Sequence, residues 1–378
     1  MADVKADLAQ RLERVQGAMR EQGVGSLVVY SSGQHNMLRM DQLFYLTDFR
    51  CIGPSVLLVP SSGPTRLLVT PVWELDRARE AAGVSEAKGV RAEDLAEAIR
   101  QEAHELPGPV ALSGRDVISM GLAQELGIAG YADGESYADG ELLIPSLAGT
   151  RTPVELERVT KSAHIADAGF QTLCDAARVG MREYELHAEV EAAMQAAGSE
   201  DNFGLMGAGA HNVAIRPATE RRLEPGDLII GEITPCYQGH FAQLCRTFIL
   251  GEPSDLQRQK FDMLLEAQDK GFEAAKPGLP SSGIAKAVNG VISAAGYAEY
   301  CRQPYMRTRG HGLGFGGVVP YDVTEDSSPV LQENMTFVIH PNQYIPETGY
   351  MMLGDTVVIE ANGPRCLTET PRRLFWKS

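Results

Sequence analysis

The chain has 378 residues, and its 34 lysines and arginines against 50 aspartates and glutamates give a formal net charge of −16. Apolar residues make up 44% and charged residues 22% of the sequence, which is typical of a globular protein and excludes a disordered or fibrous one. Such an acidic chain repels phosphate backbones, and no apolar run approaches the roughly 20 residues of a membrane span, so we expect neither nucleic acid nor a membrane as a partner. The charged N-terminus and six scattered cysteines without a CxxC pair predict a cytoplasmic protein with reduced thiols.

The first part of the chain, residues 1–150, has the pattern of a mixed α/β domain. Apolar residues recur at helical spacing from Leu8 to Met19 and predict a helix that ends at Gly23. Short apolar runs then alternate with helical stretches, as strands separated by helices do. The predicted strands are Leu27–Tyr30, Ser55–Pro60, Arg66–Thr70 and Val110–Ser113, and the predicted helices are Glu74–Ala82 and Ala92–Glu105.

A second domain, residues 151–378, is predicted to begin with a long helix. Thr152 supplies a helix cap, Pro153 suits the first helical position, and Glu155 completes a capping box. The order helix, helix, β-hairpin then occurs twice, which predicts a pseudo-twofold repeat with a concave site between its halves. The predicted helices are Pro153–Arg178, Glu183–Ala197, Leu256–Ala275 and Ser282–Ala295, and the predicted strands are Asp227–Cys236, Phe241–Leu250, Met335–Ile339 and Asp355–Ile359.

The first hairpin of this domain carries polar side chains in its strands. If Gln238-Gly239 are its two turn residues, Glu232 lies opposite Cys245, with Gln243 diagonal on the same face. A turn shifted by one residue on each side places Glu232 opposite Gln243 instead. Either register projects the three side chains to one side of the hairpin.

Three histidines are candidate catalytic residues. His311 is surrounded by glycines in Gly310–Gly314, which lets a ligand approach the backbone, although a mobile loop with an incidental histidine fits equally well. His340 ends an apolar run and is followed by Pro341, a place where strands present catalytic groups, but a histidine bonded to the backbone at the edge of a core is the simpler interpretation. For His211, in Gly209-Ala210-His211-Asn212, a turn is also the simpler interpretation.

Together these segments resemble the creatinase/aminopeptidase P family, whose catalytic domain has the pita-bread fold. The resemblance covers nearly the whole chain. It implies an α/β (α+β) protein in which a creatinase-type N-terminal domain precedes a pita-bread catalytic domain. The segments that carry the resemblance are Phe44–Phe49, which is similar to a YLTGF motif, Leu223–Leu228, Arg246–Phe248, Gly310–Gly314 and Gly354–Val357.

Metallopeptidases of this family bind two metal ions through Asp, Asp, His, Glu and Glu. The matching positions here are Glu232, Gln243, His311, His340 and Gly354, so only the histidine is kept. The two positions that bridge the metals are now glutamine and glycine, which cannot supply the negative charge that hard oxygen-ligated cations need. We therefore expect neither a metal nor another cofactor.

The resemblance then implies a metal-independent, creatinase-like hydrolase that cleaves a C–N bond of a small polar molecule by histidine acid–base catalysis. The bond could belong to an amide, a lactam, an amidine or a related group, and the sequence does not distinguish them. Neutral His340 or His211 would activate water, because a histidine pKa near neutrality suits proton transfer. His311 would donate to the oxyanion or the leaving nitrogen, and Glu232 would orient or stabilise an imidazolium.

Substrate recognition departs from creatinase itself. The position of its catalytic histidine is Ile215 here, and the position of its glutamate on the second hairpin strand is Cys245. We expect Gln243 and Cys245 to contact substrate without charge. Arg216 is a candidate for binding a substrate carboxylate, with a surface arginine as the alternative, and Arg50 is a weaker candidate.

Two other functions stay open. The first is a mononuclear-metal or Xaa-Pro-type peptidase, with one ion held by Glu232, His311 and His340. The second is a catalytically inactive module that binds peptides or proteins, which is disfavoured because the replaced ligands remain polar. The resemblance also implies a homodimer in which each N-terminal domain covers the partner's site, so that Arg50 would act in trans on the small-molecule substrate.

Overall fold

The structure, a computed structural model, describes residues 3–35, 37–81, 83–128, 137–316 and 319–377. The chain divides into two compact units, of which the first holds the described residues of 1–35 and 40–148 and the second those of 36–39 and 149–378. In the described ranges, no helix combines the length and the apolar character that crossing a membrane requires.

The first unit is built on a six-stranded sheet of order β4-β3-β2-β1-β5-β6. Its strands are β1 Ser26–Ser31, β2 Ser55–Pro60, β3 Arg66–Val69, β4 Glu86–Gly89, β5 Val110–Ser113 and β6 Ala138–Asp139. Its helices are α1 Val4–Glu21, α2 Gln42–Thr47, α3 Leu75–Glu80, α4 Leu95–His104, α5 Met120–Glu125 and α6 Leu143–Leu147.

Four of these strands were predicted because they are continuous apolar runs. Every residue of β1 is buried, since this strand lies centrally between antiparallel β2 and parallel β5. The strand β4 was missed because it is polar and half-exposed at the edge of the sheet. The helix predicted at Glu74–Ala82 is a 3₁₀ turn, Val72–Glu74, followed by α3, and its expected end at Ala82 lies outside the described residues.

The second unit contains four helices and three sheets among its described residues. The sheets have the orders β17-β10-β8-β7, with β9 paired to β8, then β11-β12-β15-β16, and β13-β14. The helices are α7 Pro153–Ala176, α8 Glu183–Ala196, α9 Asp255–Ala274 and α10 Ser282–Ile292. The strands are β7 Asn202–Gly209, β8 Leu228–Tyr237, β9 His240–Phe241, β10 Leu244–Leu250, β11 Gly310–Gly312, β12 Thr336–Ile339, β13 Gln343–Ile345, β14 Gly349–Met351, β15 Asp355–Glu360, β16 Gly363–Cys366 and β17 Phe375–Lys377.

The start of α7 confirms the predicted capping box. The Thr152 hydroxyl accepts from the Glu155 amide at 3.3 Å, and the Glu155 carboxylate accepts from the Thr152 amide at 2.9 Å. This exchange satisfies backbone donors that have no partner inside the helix. The helix therefore begins at the residue that the sequence indicated.

The order of two helices and a paired set of strands occurs twice, as predicted, but the second copy is more elaborate. The strands β12 and β15 are antiparallel neighbours, and the small hairpin β13–β14 is inserted between them. The glycine segment around His311 is not a mobile loop: it forms β11, which pairs with β12. The strand β7 was also missed, because three of its eight residues are glycine.

Candidate functional site

The hairpin of β8 and β10 presents the first polar group of the site. Glu232 pairs with Cys245, which confirms the first of the two predicted registers. Gln238 and Gly239 both have positive φ, of 45° and 73°, as a two-residue hairpin turn requires. The Gln243 amide nitrogen donates to Glu232 Oε1, so these two side chains form a bonded pair.

The two halves of the second unit meet at Cys245 and Gly354. The Cys245 amide donates to the Gly354 carbonyl at 3.0 Å, and the Gly354 amide donates back to the Cys245 carbonyl at 3.0 Å. A Cβ on Gly354 would lie 2.7 Å from His340 Cβ and 3.1 Å from Cys245 Cβ. The imidazole of His340 can therefore occupy its position only because residue 354 has no side chain.

A buried ion pair holds this junction in place. Arg246 lies 2.7 Å from Asp355 Oδ1, and its guanidinium also donates to the carbonyl of Gly354 at 2.9 Å. Gln268 and Thr368 donate to the same carboxylate at 3.0 and 2.8 Å. Both charges are buried, so the removal of either one leaves an uncompensated charge in the core.

The two histidines come from the second half. His311 is buried on β11, and His340 follows β12, with ring centroids 5.7 Å apart and an interplanar angle of 64°. His311 Nδ1 lies 3.0 Å from the Gly312 carbonyl. A carbonyl only accepts, so Nδ1 carries the proton and the neutral ring presents Nε2 as an acceptor.

Two polar atoms of the site are buried without a hydrogen-bond partner among the described residues. They are Nδ1 of His340 and Oε1 of Gln243. A buried polar atom without a partner costs about 1–3 kcal/mol. The Gln243 side chain is bonded to Glu232 and the His340 ring lies against His311, so both atoms are available to pair with a polar group.

Burial sets the protonation states. It raises the pKa of Glu232 to about 7, against the opposing effects of the Gln243 hydrogen bond and of the positive charge of Arg307. Desolvation lowers the pKa of His340 to about 3, with a further contribution from His311, and desolvation also lowers the pKa of His311. Near neutral pH both imidazoles are neutral, and Glu232 is the group that exchanges its proton.

Arg307 is a candidate residue that sequence reasoning missed. Its side chain is 61% exposed and lies 3.0 Å from Asp322, yet its charge acts on Glu232, His311 and His340. It also lines a cavity of about 460 Å³, whose lining does not include Glu232, His311 or His340. The available signal was its position four residues before His311, just ahead of the glycine segment.

The described contacts of His211 and Arg216, two further sequence candidates, involve other residues. His211 is exposed, with Nε2 2.8 Å from the Pro346 carbonyl, and no described contact joins it to Glu232 or His340. The guanidinium of Arg216 is about half-exposed and lies 3.5 Å from Glu183. Arg50 belongs to the first unit.

The donor set does not fit the two-metal centre that the resemblance implies. Residues 243 and 354 supply an amide and a hydrogen atom where bridging carboxylates are needed. In the part of the chain that the structure describes, Glu232, His311 and His340 do not bring three ligand atoms within 4.8 Å of one another. A single ion between them would therefore require their side chains to move.

Comparisons with known proteins agree with this fold. The profile of metallopeptidase family M24 matches residues 157–361, and that of the creatinase/prolidase N-terminal domain matches residues 11–139. An Xaa-Pro dipeptidase of Pyrococcus furiosus is 32% identical over 236 residues, which are 62% of this chain and 67% of that protein. One of Pyrococcus horikoshii is 26% identical over 336 residues, 88% of this chain and 92% of that protein. The solved prolidase of Pyrococcus horikoshii has a TM-score of 0.82 at 23% identity and covers 96% of this chain and 99% of its own, a likeness in fold.

Proposed function

This chain belongs to metallopeptidase family M24, and we propose that it hydrolyses the C–N bond of a small peptide-like amide without a dinuclear metal centre. The names of its relatives support an Xaa-Pro dipeptide as the first substrate to test. They favour a peptide over the lactams and amidines that the sequence left equally open. The proposal therefore retains the hydrolysis of a C–N bond that the sequence predicted. It replaces the undefined small polar substrate by a dipeptide.

The observation that carries this proposal is the carboxyl group of Glu232, whose pKa burial raises to about 7, in a unit that also buries the imidazoles of His311 and His340, both of lowered pKa. A group that titrates near the working pH both accepts and donates a proton readily. The amide of Gln243 suits this role, because it can donate to the carboxylate and, after rotation, accept from the carboxylic acid.

In the proposed reaction, ionised Glu232 takes a proton from water as the oxygen attacks the carbonyl carbon of the amide. Nε2 of His311 accepts a hydrogen bond from that water, and the neutral ring of His340, in the tautomer with its proton on Nδ1, donates to the developing oxyanion. Glu232 then returns the proton to the leaving nitrogen as the C–N bond breaks. The products are a carboxylic acid and an amine.

These roles differ from those expected from the sequence. Glu232 becomes the proton-transfer group rather than an orienting residue, because a pKa of about 3 makes His340 a weak base. His311 becomes an acceptor, because its Nδ1 proton is engaged by Gly312. The exposed His211 has no part in the proposed chemistry.

Recognition of a substrate carboxylate is assigned in this proposal to Arg307. Its guanidinium is largely accessible beside Asp322, and its charge acts on the three groups of the site. A planar guanidinium binds a carboxylate through two parallel hydrogen bonds. The sequence candidates Arg216 and Arg50 remain alternatives for this role. The homodimer stays a prediction, which sedimentation equilibrium can test.

The test is a panel of Xaa-Pro and other dipeptides with amine release as the readout, before and after exhaustive chelation. We expect turnover that survives chelation, that is lost in E232Q and that is unchanged in H211A. Complete loss on chelation with recovery on adding metal would establish the metal-dependent peptidase instead. Specific binding without turnover would establish the binding module.

A further inference from the structure

A polar cluster in the first unit lies outside the proposed catalytic site. Its members are Ser31 at the end of β1, His35 in the following loop, Asp41 at the start of α2 and Cys51 before β2. One ligand atom each of His35, Asp41 and Cys51 lie within 4.8 Å of one another. We call these four residues the Cys51 cluster.

The cluster is preorganised by hydrogen bonds. Asp41 Oδ2 lies 3.1 Å from His35 Nδ1 and accepts from the Ser31 hydroxyl at 3.1 Å. The Cys51 thiol lies 3.3 Å from the same hydroxyl, and His35 Nε2 lies 3.2 Å from the Cys51 carbonyl. The other oxygen of Asp41 accepts from the Phe44 amide at 3.0 Å, which fixes the carboxylate.

The backbone brings the loop and Cys51 together by a close approach. Gly33 has a φ of 77°, and a Cβ there would lie 2.7 Å from the carbonyl carbon of Ile52. Only glycine fits this contact, so the fold keeps His35 beside Cys51. The side chains of His35 and Asp41 are 13% and 11% exposed, while Cys51 is buried, so the donors are shielded but reachable.

We infer that the Cys51 cluster is a zinc-binding site, with the Cys51 thiolate, one ring nitrogen of His35 and one oxygen of Asp41 as ligands. Thiolate, imidazole and carboxylate are the donors that zinc takes in proteins, and a thiolate disfavours magnesium and calcium. Tetrahedral zinc places its ligand atoms roughly 3.3–3.8 Å apart, and the three ligand atoms lie within 4.8 Å of one another, so shifts of about 1.5 Å or less complete the site. The Ser31 hydroxyl or water supplies the fourth position.

The charges balance in this assignment. Desolvation lowers the pKa of His35, but its hydrogen bonds with Asp41 and Cys51 raise it to about 9, so the ring is an imidazolium near neutral pH. Binding therefore releases two protons, one from the thiol of Cys51 and one from the ligating nitrogen of His35. One zinc ion then faces two negative ligands, so the site is neutral overall. The positive charge of Arg50, which acts on His35, is therefore tolerated beside it.

The test is zinc titration of the full chain, first stripped of metal, against a competing chromophoric chelator. We expect one zinc per chain in the wild type and in C174S, and a loss of at least tenfold in affinity in both C51S and H35Q. Cys174 is a matched control, because it is a half-buried thiol in the second unit. Absence of zinc binding by the wild type, or unchanged affinity in both variants, would overturn the assignment.

A second measurement keeps the test decisive if the variants do not fold. Cobalt added to the wild type should give a thiolate-to-metal charge-transfer band, and zinc should slow the reaction of one thiol with a thiol reagent. A cobalt spectrum without thiolate ligation would contradict the site. The result also bears on metal analysis of this protein, because zinc bound here has to be distinguished from metal at Glu232, His311 and His340.

Discussion

The substitution E232Q tests the electrostatics of the site through both stability and catalysis. The folded-state pKa of Glu232, about 7, lies above the ordinary value of 4.5 because of burial. The folded state therefore holds this proton more tightly, and the resulting stabilisation is full below pH 4.5 and is lost as the pH rises through 7. The difference between the two pKa values corresponds to about 3 kcal/mol.

Glutamine keeps the shape of the side chain and removes its titration. The stability of E232Q relative to the wild type should therefore rise by about 2–3 kcal/mol between about pH 5 and about pH 8.5. Urea unfolding of both proteins across this range measures the difference in their free energies of unfolding. The titration of groups common to both proteins cancels in that difference. E97Q is a control that should show no such slope, because the hydrogen bond from Arg100 lowers the pKa of Glu97 and this carboxylate stays ionised over the whole range.

Catalysis supplies an independent readout of the same group. The kcat/KM of the wild type should rise with pH through about 7 as Glu232 ionises, and E232Q should lack that limb together with most of its activity. A stability difference that does not change with pH would refute the raised pKa. An acidic limb that persists in E232Q would assign the proton transfer to another group.

Three further substitutions probe the surroundings of the site. G354A places a methyl group against His340, so it should lower the free energy of unfolding in urea by about 1–3 kcal/mol and should also lower kcat. In the control G283A the added methyl group meets open space, and the free energy of unfolding should not fall. R246M leaves the carboxylate of Asp355 buried without its charge partner, so it should lower the free energy of unfolding by about 3–5 kcal/mol. An unchanged unfolding midpoint would contradict the supporting role of the ion pair. R307A should raise KM for dipeptides with a free carboxylate but not for their C-terminal amides. The control is R365A, which removes an exposed arginine paired to Glu360. Equal changes in KM for both kinds of substrate would show that Arg307 does not bind the carboxylate.

Local features of the fold were readable from the sequence. The capping box at Thr152 acts within a single turn, so neighbouring residues are sufficient to specify it. For the hairpin the sequence left two registers open, and the observed pairing of Glu232 with Cys245 decided between them. The family resemblance added the order of the two domains. The strand β4 was not readable, because a polar edge strand owes its existence to pairing with β3 rather than to its own pattern.

The sequence by itself determined which chemical groups the site contains: one carboxylate, one amide and two imidazoles at positions that the family resemblance matches to metal ligands. Tertiary structure alone decided their protonation and partners. Burial raised the pKa of Glu232, the Gly312 carbonyl fixed the proton of His311, and the contact between Gly354 and His340 fixed the second ring. Desolvation and hydrogen bonding depend on atoms that are distant along the chain, so the spacing of residues cannot specify them.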